Sequence, residues 1–278
     1  MKRILLMGMA SAAAFGAGIE VHGHRGARAV RPENTLPAFE YAIAAGVDAL
    51  ELDMAVTKDN VLVVSHDAQL RSPVCTGPRD GAVIRELMLA EVRQWDCGAH
   101  GNPAFPKQQA VPGTKMPTLD EVFALAPKGS FLFNIETKIF PAQPELTPPP
   151  EEFAKLVLEA IRRHHLESRV VLQSFDFRTL LAMEKLAPEI KRSALYSGTP
   201  KDFVAIGQEG HARIVSPTSQ LVTAEQVKAA HAAGLKVLPW TVNTPDQWKK
   251  LVTAGVDGII TDDPAALIAW LRDRSARK

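Results

Sequence analysis

Cysteine is scarce in this chain of 278 residues. The two that occur, Cys75 and Cys97, have no neighbouring Cys or His at the spacing of a zinc site. They leave two readings open, a disulfide in an oxidising compartment or two buried thiols. A dominant charge is also missing. Lys and Arg total 32 against 31 Asp and Glu, with no basic run to follow a phosphate backbone or grip a membrane surface, so nucleic acid is excluded as a partner. Beyond the N-terminus no apolar stretch reaches membrane-spanning length. A shortage of apolar residues is not among the deficits. At 46% hydrophobic and 23% charged, the chain is neither disordered nor fibrous and can bury one large core.

The N-terminal stretch MKRILLMGMASAAAFGAG places two basic residues before an apolar run and then small residues, with Ala12-Ala13-Ala14 as an A-x-A cleavage site. This is the pattern of a secretory signal. Residues 1–17 are therefore expected to be a signal peptide and 18–278 a single exported domain, periplasmic or secreted, with no stable membrane insertion after signal removal.

Three segments share one grammar. AIAAGVDALELD, AAHAAGLKVLPWTV and LVTAGVDGIITDD each run from a helix through Gly46, Gly234 or Gly255 into an apolar strand. Glycine just past a helix is a left-handed stop signal, and the aliphatic run that follows suits a strand buried on both faces of a parallel sheet. Strands are predicted near Ile19–His22, Ala49–Met54, Val61–Ser65, Phe131–Glu136, Val170–Ser174, Ser193–Tyr196, Arg213–Val215, Val237–Trp240 and Gly258–Thr261, with helical patterns between most of them. That is one more than an eight-stranded barrel needs. Only VTKDNV separates the second from the third, too little for a parallel crossover, so these two form an antiparallel hairpin turning at Lys58-Asp59-Asn60. The expected fold is an α/β (β/α)8 TIM barrel with that hairpin after strand 2. The Gly- and Pro-rich region of about 70–117 reads as an insertion over the barrel mouth.

In such barrels reactive groups lie at the C-terminal ends of strands. Those ends carry His24 and Arg25, Glu51 and Asp53, His66 on the hairpin's return, and Glu136 with Lys138. Glu51 and Asp53 share a face by the two-residue period, and a turn centred in the hairpin sets Glu51 opposite His66. Three carboxylates at one mouth repel one another, so a hard divalent cation is their simplest partner. Two histidines beside them suit general acid and base roles in displacing an alcohol. Asn34 or Thr35 reads as a helix cap, Asn34 also as a group holding His24 or a phosphate, and Trp240 as core packing or a wall of the substrate pocket. His100, His164, His165, His211 and His231 read as ordinary loop or helix residues.

GHRGARAVRPENTLPAF, ALELDMAVTKDNVLVVSHD, FNIETK, QSFD, PWTVNTPDQ and GVDGIITDDP resemble, in order, the motif series of the glycerophosphodiester phosphodiesterase family. The first two are highly specific, and the match spans nearly all of the chain after the signal. The resemblance implies a metal-dependent barrel, usually with Ca2+ or Mg2+, that hydrolyses a small-molecule glycerophosphodiester to an alcohol and glycerol 3-phosphate. Carried over by motif, His24 and His66 look like the acid and base. Glu51, Asp53 and Glu136 look like the metal ligands, and Arg25 and Lys138 like the phosphate ligands. The segment FPKQQAVPGTKMPTLDEVF resembles that of exported members.

Three other readings compete. His22-Gly23-His24 mimics the H-x-H of amidohydrolase barrels, but RVVLQSF and RSALYS lack the further histidines those sites need. A phospholipase-D-like lipid hydrolase shares the two-histidine, acidic design. A non-catalytic phosphodiester-binding barrel would have no need of every catalytic group.

Overall fold

The computed structural model describes residues 18–275; the expected signal peptide at 1–17 lies outside them. Eleven strands follow in chain order: β1 (Glu20–Gly23), β2 (Ala49–Val56), β3 (Leu62–Val64), β4 (Gln69–Leu70), β5 (Ala82–Val83), β6 (Leu132–Thr137), β7 (Val170–Ser174), β8 (Lys191–Tyr196), β9 (Ile214–Pro217), β10 (Lys236–Val237) and β11 (Gly258–Thr261). Eight of them pair in parallel in the order β10-β9-β8-β7-β6-β2-β1-β11, and β3 lies antiparallel on β2. The fold is a (β/α)8 barrel, with helices covering the strands.

The expected strand at Val237–Trp240 is cut to two residues. Pro239 has no N–H to give a ladder, and the seam between β10 and β11 closes through isolated backbone bonds instead. Asp257 N donates to Val237 O, Ile260 N to Pro239 O and Val242 N to Ile260 O, each at 3.0 Å.

Local sequence explains the covering helices. In Pro150–Arg163, proline opens the first turn with Glu151 and Glu152, and Arg162 and Arg163 close the last, each charge complementing the helix dipole. Phe153, Ala154, Val157, Leu158 and Ile161 form its buried face. They join Phe39, Phe123, Phe133 and Phe203 in one core between barrel and helices. Burying one such side chain is worth about 1.5–3 kcal/mol. Gly46 and Gly255 end their helices with φ of 88°, as the stop-signal reading requires.

The hairpin forms, with its register one residue from the expected one. Met54 faces Val64, Ala55 Val63 and Val56 Leu62. Continued, this register sets Leu52, not Glu51, across from His66. The cause is the turn: Thr57 N bonds Val61 O across three residues, with Asn60 left-handed at φ 60°. The strand then stops, and Ser65 N on Asp53 O is the last bond before the chain turns away.

The insertion has its own small core, in which the disulfide Cys75–Cys97 packs with Val63, Leu70, Ile84 and Trp95. Its small β4–β5 sheet had no clear sequence signal, because two-residue strands show no period. Against the C-terminal mouth it buttresses the loop after β1. Gln109 N donates to Val30 O, Gln108 Nε2 to Arg28 O, and Arg28 lies 4.8 Å above the Phe105 ring.

Candidate active site

The site is built where β1, β2, β6 and β11 end. After Gly23 the chain passes through two left-handed residues, Arg25 at φ 49° and Gly26 at φ 82°. A Cβ on Gly26 would stand 2.8 Å from the backbone carbon of Ala38, so only glycine fits this close approach. The turn aims the Arg25 amide at the Glu51 carboxylate, N to Oε2 at 2.9 Å.

Glu51 and Asp53 point into the barrel from β2, and Glu136 on β6 is in register with Asp53. All three are buried, and one oxygen from each lies within 4.8 Å of the others. Oxygens that share one hard cation at about 2.4 Å are at most about twice that far apart, so this all-oxygen set fits a divalent ion. Two cations face the three carboxylates. Arg25 donates to Glu33 Oε1 at 2.6 Å and places Nε 3.3 Å from Asp53 Oδ2. Lys138 Nζ lies 2.8 Å from Glu136 Oε1 and 3.4 Å from Asp53 Oδ1.

This crowding separates the three acids. Burial, with Asp53 alongside, pushes the Glu51 carboxyl well above its usual range. Burial also lifts Glu136, to about 7, against the pull of Lys138. Burial acts on Asp53 in the same sense, but Lys138 and Arg25 outweigh it and hold that carboxyl well below its usual range. Without a further positive charge the cluster therefore retains protons that a divalent ion would displace.

Each predicted histidine is oriented by an aspartate. His24 Nδ1 lies 2.6 Å from Asp262 Oδ1, and Asp262 is itself held by Arg28 Nε at 2.6 Å and Asn243 Nδ2 at 2.7 Å. The other ring nitrogen, Nε2, stands 3.9 Å from Glu51 Oε2. Burial pushes this imidazole down to about 4 even with Asp262 beside it. His66 Nδ1 meets Asp67 Oδ1 at 2.7 Å, and its side chain is 36% exposed, at the rim. His24, His66, Glu51, Asp53, Glu136 and Lys138 all line one cavity of about 150 Å3, with Arg25.

The opposite wall comes from β7, β8 and the segment after β10: Phe175, Leu195 and Trp240. Trp240 Nε1 donates to Ser216 O at 2.9 Å, and its ring meets Phe175 edge-on at 5.4 Å. Phe175 is 43% exposed. Asn34 bonds Asp53 rather than His24. Its Nδ2 donates to Asp53 Oδ2 at 2.9 Å, because its left-handed backbone, φ 56°, turns the amide toward β2. Thr35 is the N-cap residue but makes no side-chain cap. His164, His211 and His231 contact the carboxylates of Asp120, Glu184 and Asp257 at 2.6–2.9 Å, away from the mouth.

Sequence reasoning missed Asp262, Glu33 and the bond from Gln173 Nε2 to Glu51 Oε1 at 2.8 Å. Asp262 had a usable signal, since it directly follows β11 at the same barrel end as the other groups.

A (β/α)8 barrel whose C-terminal mouth gathers an acid cluster, two aspartate-backed histidines and two cations has the layout of a phosphate-ester hydrolase. The chain belongs to the glycerophosphoryl diester phosphodiesterase family, whose model matches residues 24–266. It is 35% identical over 254 residues to the glycerophosphodiester phosphodiesterase of Caldanaerobacter subterraneus subsp. tengcongensis, covering 91% of this chain and 97% of that one. A crystal structure from Silicibacter pomeroyi, named for the same activity, superposes with a TM-score of 0.86 at 33% identity, over 94% and 95% of the two chains. An Oleispira antarctica phosphodiesterase in complex with the product sn-glycerol-3-phosphate gives 0.78 at 25% identity, over 91% and 96%.

Proposed function

We propose that this phosphodiesterase hydrolyses glycerophosphodiesters to an alcohol and sn-glycerol 3-phosphate with the help of one divalent cation, Ca2+ or Mg2+. The observation that carries the reading is the meeting of His24, Glu51, Asp53, His66, Glu136 and Lys138 in a single cavity at the C-terminal mouth. Glu51, Asp53 and Glu136 would hold the cation, which would supply Lewis acidity toward the phosphoryl oxygens. Arg25 and Lys138 neutralise phosphate charge and fix its orientation. His24 and His66 move the protons. With Nδ1 tied to an aspartate in each, Nε2 is the atom that takes a proton from the attacking oxygen or gives one to the leaving alkoxide. Trp240 and Phe175 shield the organic part of the substrate. The product complex of the Oleispira relative supports the glycerol phosphate half of this assignment.

We further propose export of the mature protein from about residue 18. The basic, apolar and small residues of 1–17 support it. So does the pairing of Cys75 with Cys97, which suits an oxidising compartment.

The bond that breaks decides the chemistry. Glycerophosphocholine should give choline and sn-glycerol 3-phosphate. Phosphocholine with free glycerol would refute the assignment, because the leaving group would then be on the other side of phosphorus.

A further inference from the structure

His22, the first histidine of the His-Gly-His sequence, takes no part in the catalytic mouth. It lies in β1, 2% exposed, at the lower end of a hydrogen-bond chain that begins at Glu51. The two amides set its direction: Gln173 Nε2 donates to Glu51 Oε1 at 2.8 Å. Gln173 Oε1 then accepts from Asn134 Nδ2 at 3.1 Å, and the same Asn134 amide reaches His22 Nδ1 at 3.4 Å. With Nδ1 accepting, the ring proton of His22 is on Nε2. That buried donor has no hydrogen-bond partner. Glu20 Oε2 is 3.5 Å away, and the other oxygen of Glu20 is engaged by Lys236 Nζ at 2.6 Å.

His22 lines a cavity of about 520 Å3 at the N-terminal mouth of the barrel, more than three times the catalytic one. Leu132, Val171 and Ile214 give it apolar walls, and its charged lining is mixed, with the cations Lys191, Arg192, Arg213 and Lys236 outnumbering Glu20 and Glu189. Lys236 is spent on Glu20, and Arg192 on Glu184 and backbone carbonyls. Lys191 and Arg213 enter no ion pair among the described residues. A mostly apolar cavity with a few convergent polar groups is the usual form of a small-molecule site.

We infer that this basal cavity binds a hydroxy- or oxo-carboxylic acid with an aliphatic body. Its carboxylate is held by Lys191 and Arg213, its hydrocarbon packs on Leu132, Val171 and Ile214, and its neutral oxygen accepts from His22 Nε2. The oxygen at His22 is neutral because Glu20 stands beside the same nitrogen. With Lys236 Nζ on its other oxygen at 2.6 Å, the Glu20 carboxylate repels a second carboxylate at that position. The free carboxylate goes instead to the cations that lack partners.

Calorimetric titration of the divalent-loaded protein with 6-hydroxyhexanoate, 8-hydroxyoctanoate and 10-hydroxydecanoate tests this. At least one should bind saturably, and binding should persist in Lys138→Ala, since a carboxylate held in the catalytic mouth would need that cation. Lys191→Glu should weaken it roughly tenfold or more, as expected for losing a charged hydrogen-bond partner. The carboxylate of equal length without the hydroxyl should bind roughly fivefold more weakly, and the diol without the carboxylate roughly tenfold. Absence of saturable binding across the series, or equal binding by the diol with no effect of Lys191→Glu, would overturn the site. Since every readout is binding, loss of the hydrolytic reading and loss of this site are separate results.

Discussion

The two halves of the catalytic mouth differ in kind. The ends of β1, β2, β6 and β11 bring charge: Glu51, Asp53, Glu136, Arg25, Lys138 and the His24–Asp262 pair. From β7, β8 and the segment after β10 come Phe175, Leu195 and Trp240, with the neutral Gln173 and Thr241 beside them. A phosphodiester has the same asymmetry, a charged centre and an organic substituent. On the proposed function, the charged half would hold phosphorus and move protons, and the neutral half would receive what is attached to it.

The largest expected effect comes from emptying the charged half. Chelation should abolish turnover and added divalent ion restore it, with Glu51→Gln raising the metal requirement sharply. Full activity after exhaustive metal removal would show that Glu51, Asp53 and Glu136 do not work as a metal site.

Next in size are the histidines. His24→Ala and His66→Ala should each lower kcat by roughly 10²–10⁴ while the melting temperature stays close to that of the parent. Near-parental turnover in either variant would reduce that histidine to a packing residue. Asp262→Asn should cost less, because the imidazole remains and only its orientation and charge support are lost. Its pH–rate profile should shift, a change that simple loss of packing would not produce.

The pH dependence of stability sharpens the contrast without touching turnover. In the metal-free protein Glu136 is raised to about 7 and Glu51 well above its usual range. These folded-state groups bind more protons than unfolded ones between about 4.5 and 7, so their contribution is fully present below the unfolded value and is lost as pH rises through the folded one. Asp53, held low, titrates beneath this window. His24, pushed down to about 4 by burial, acts in the opposite sense below its unfolded value, but two raised carboxyls outweigh one imidazole, so the melting temperature of chelated protein should fall across the window. Added divalent ion should raise that temperature more at pH 8 than at pH 5, since the ion then meets ionised carboxylates. A pH-independent metal effect would contradict the shared-proton picture.

The smallest effect belongs to the neutral half. Trp240→Ala and Phe175→Ala should alter KM by a few-fold, differently for diesters with different alcohols, and leave the chelator response unchanged. An equal loss on every substrate, confined to kcat, would move these rings into the charged half's role.

Much of this division was legible in the amino-acid order. The charged residues stand in apolar strands, where an unpaired charge is costly, and that cost made Glu51, Asp53 and Glu136 conspicuous before any contact was known. Asp262 was hidden because TDDP also reads as a helix start, and the following Asp263 does accept from Ala266 N at 3.1 Å. Gln173 and Asn134 were hard to interpret because an amide becomes informative only once its partners are fixed.

The sequence by itself determined the barrel, its hairpin and most of the charged mouth, though not Asp262 or Glu33, because strand period, glycine stops and misplaced charge are local signals along the chain. Tertiary structure alone decided the pairings between distant residues. It put Asp262 on His24 across 238 positions, turned Asn34 to Asp53 and moved the hairpin by one residue. It also joined Glu51 to His22 through the barrel interior. Such contacts depend on strand register and barrel closure, which are settled by the packing of the whole sheet rather than by any one segment.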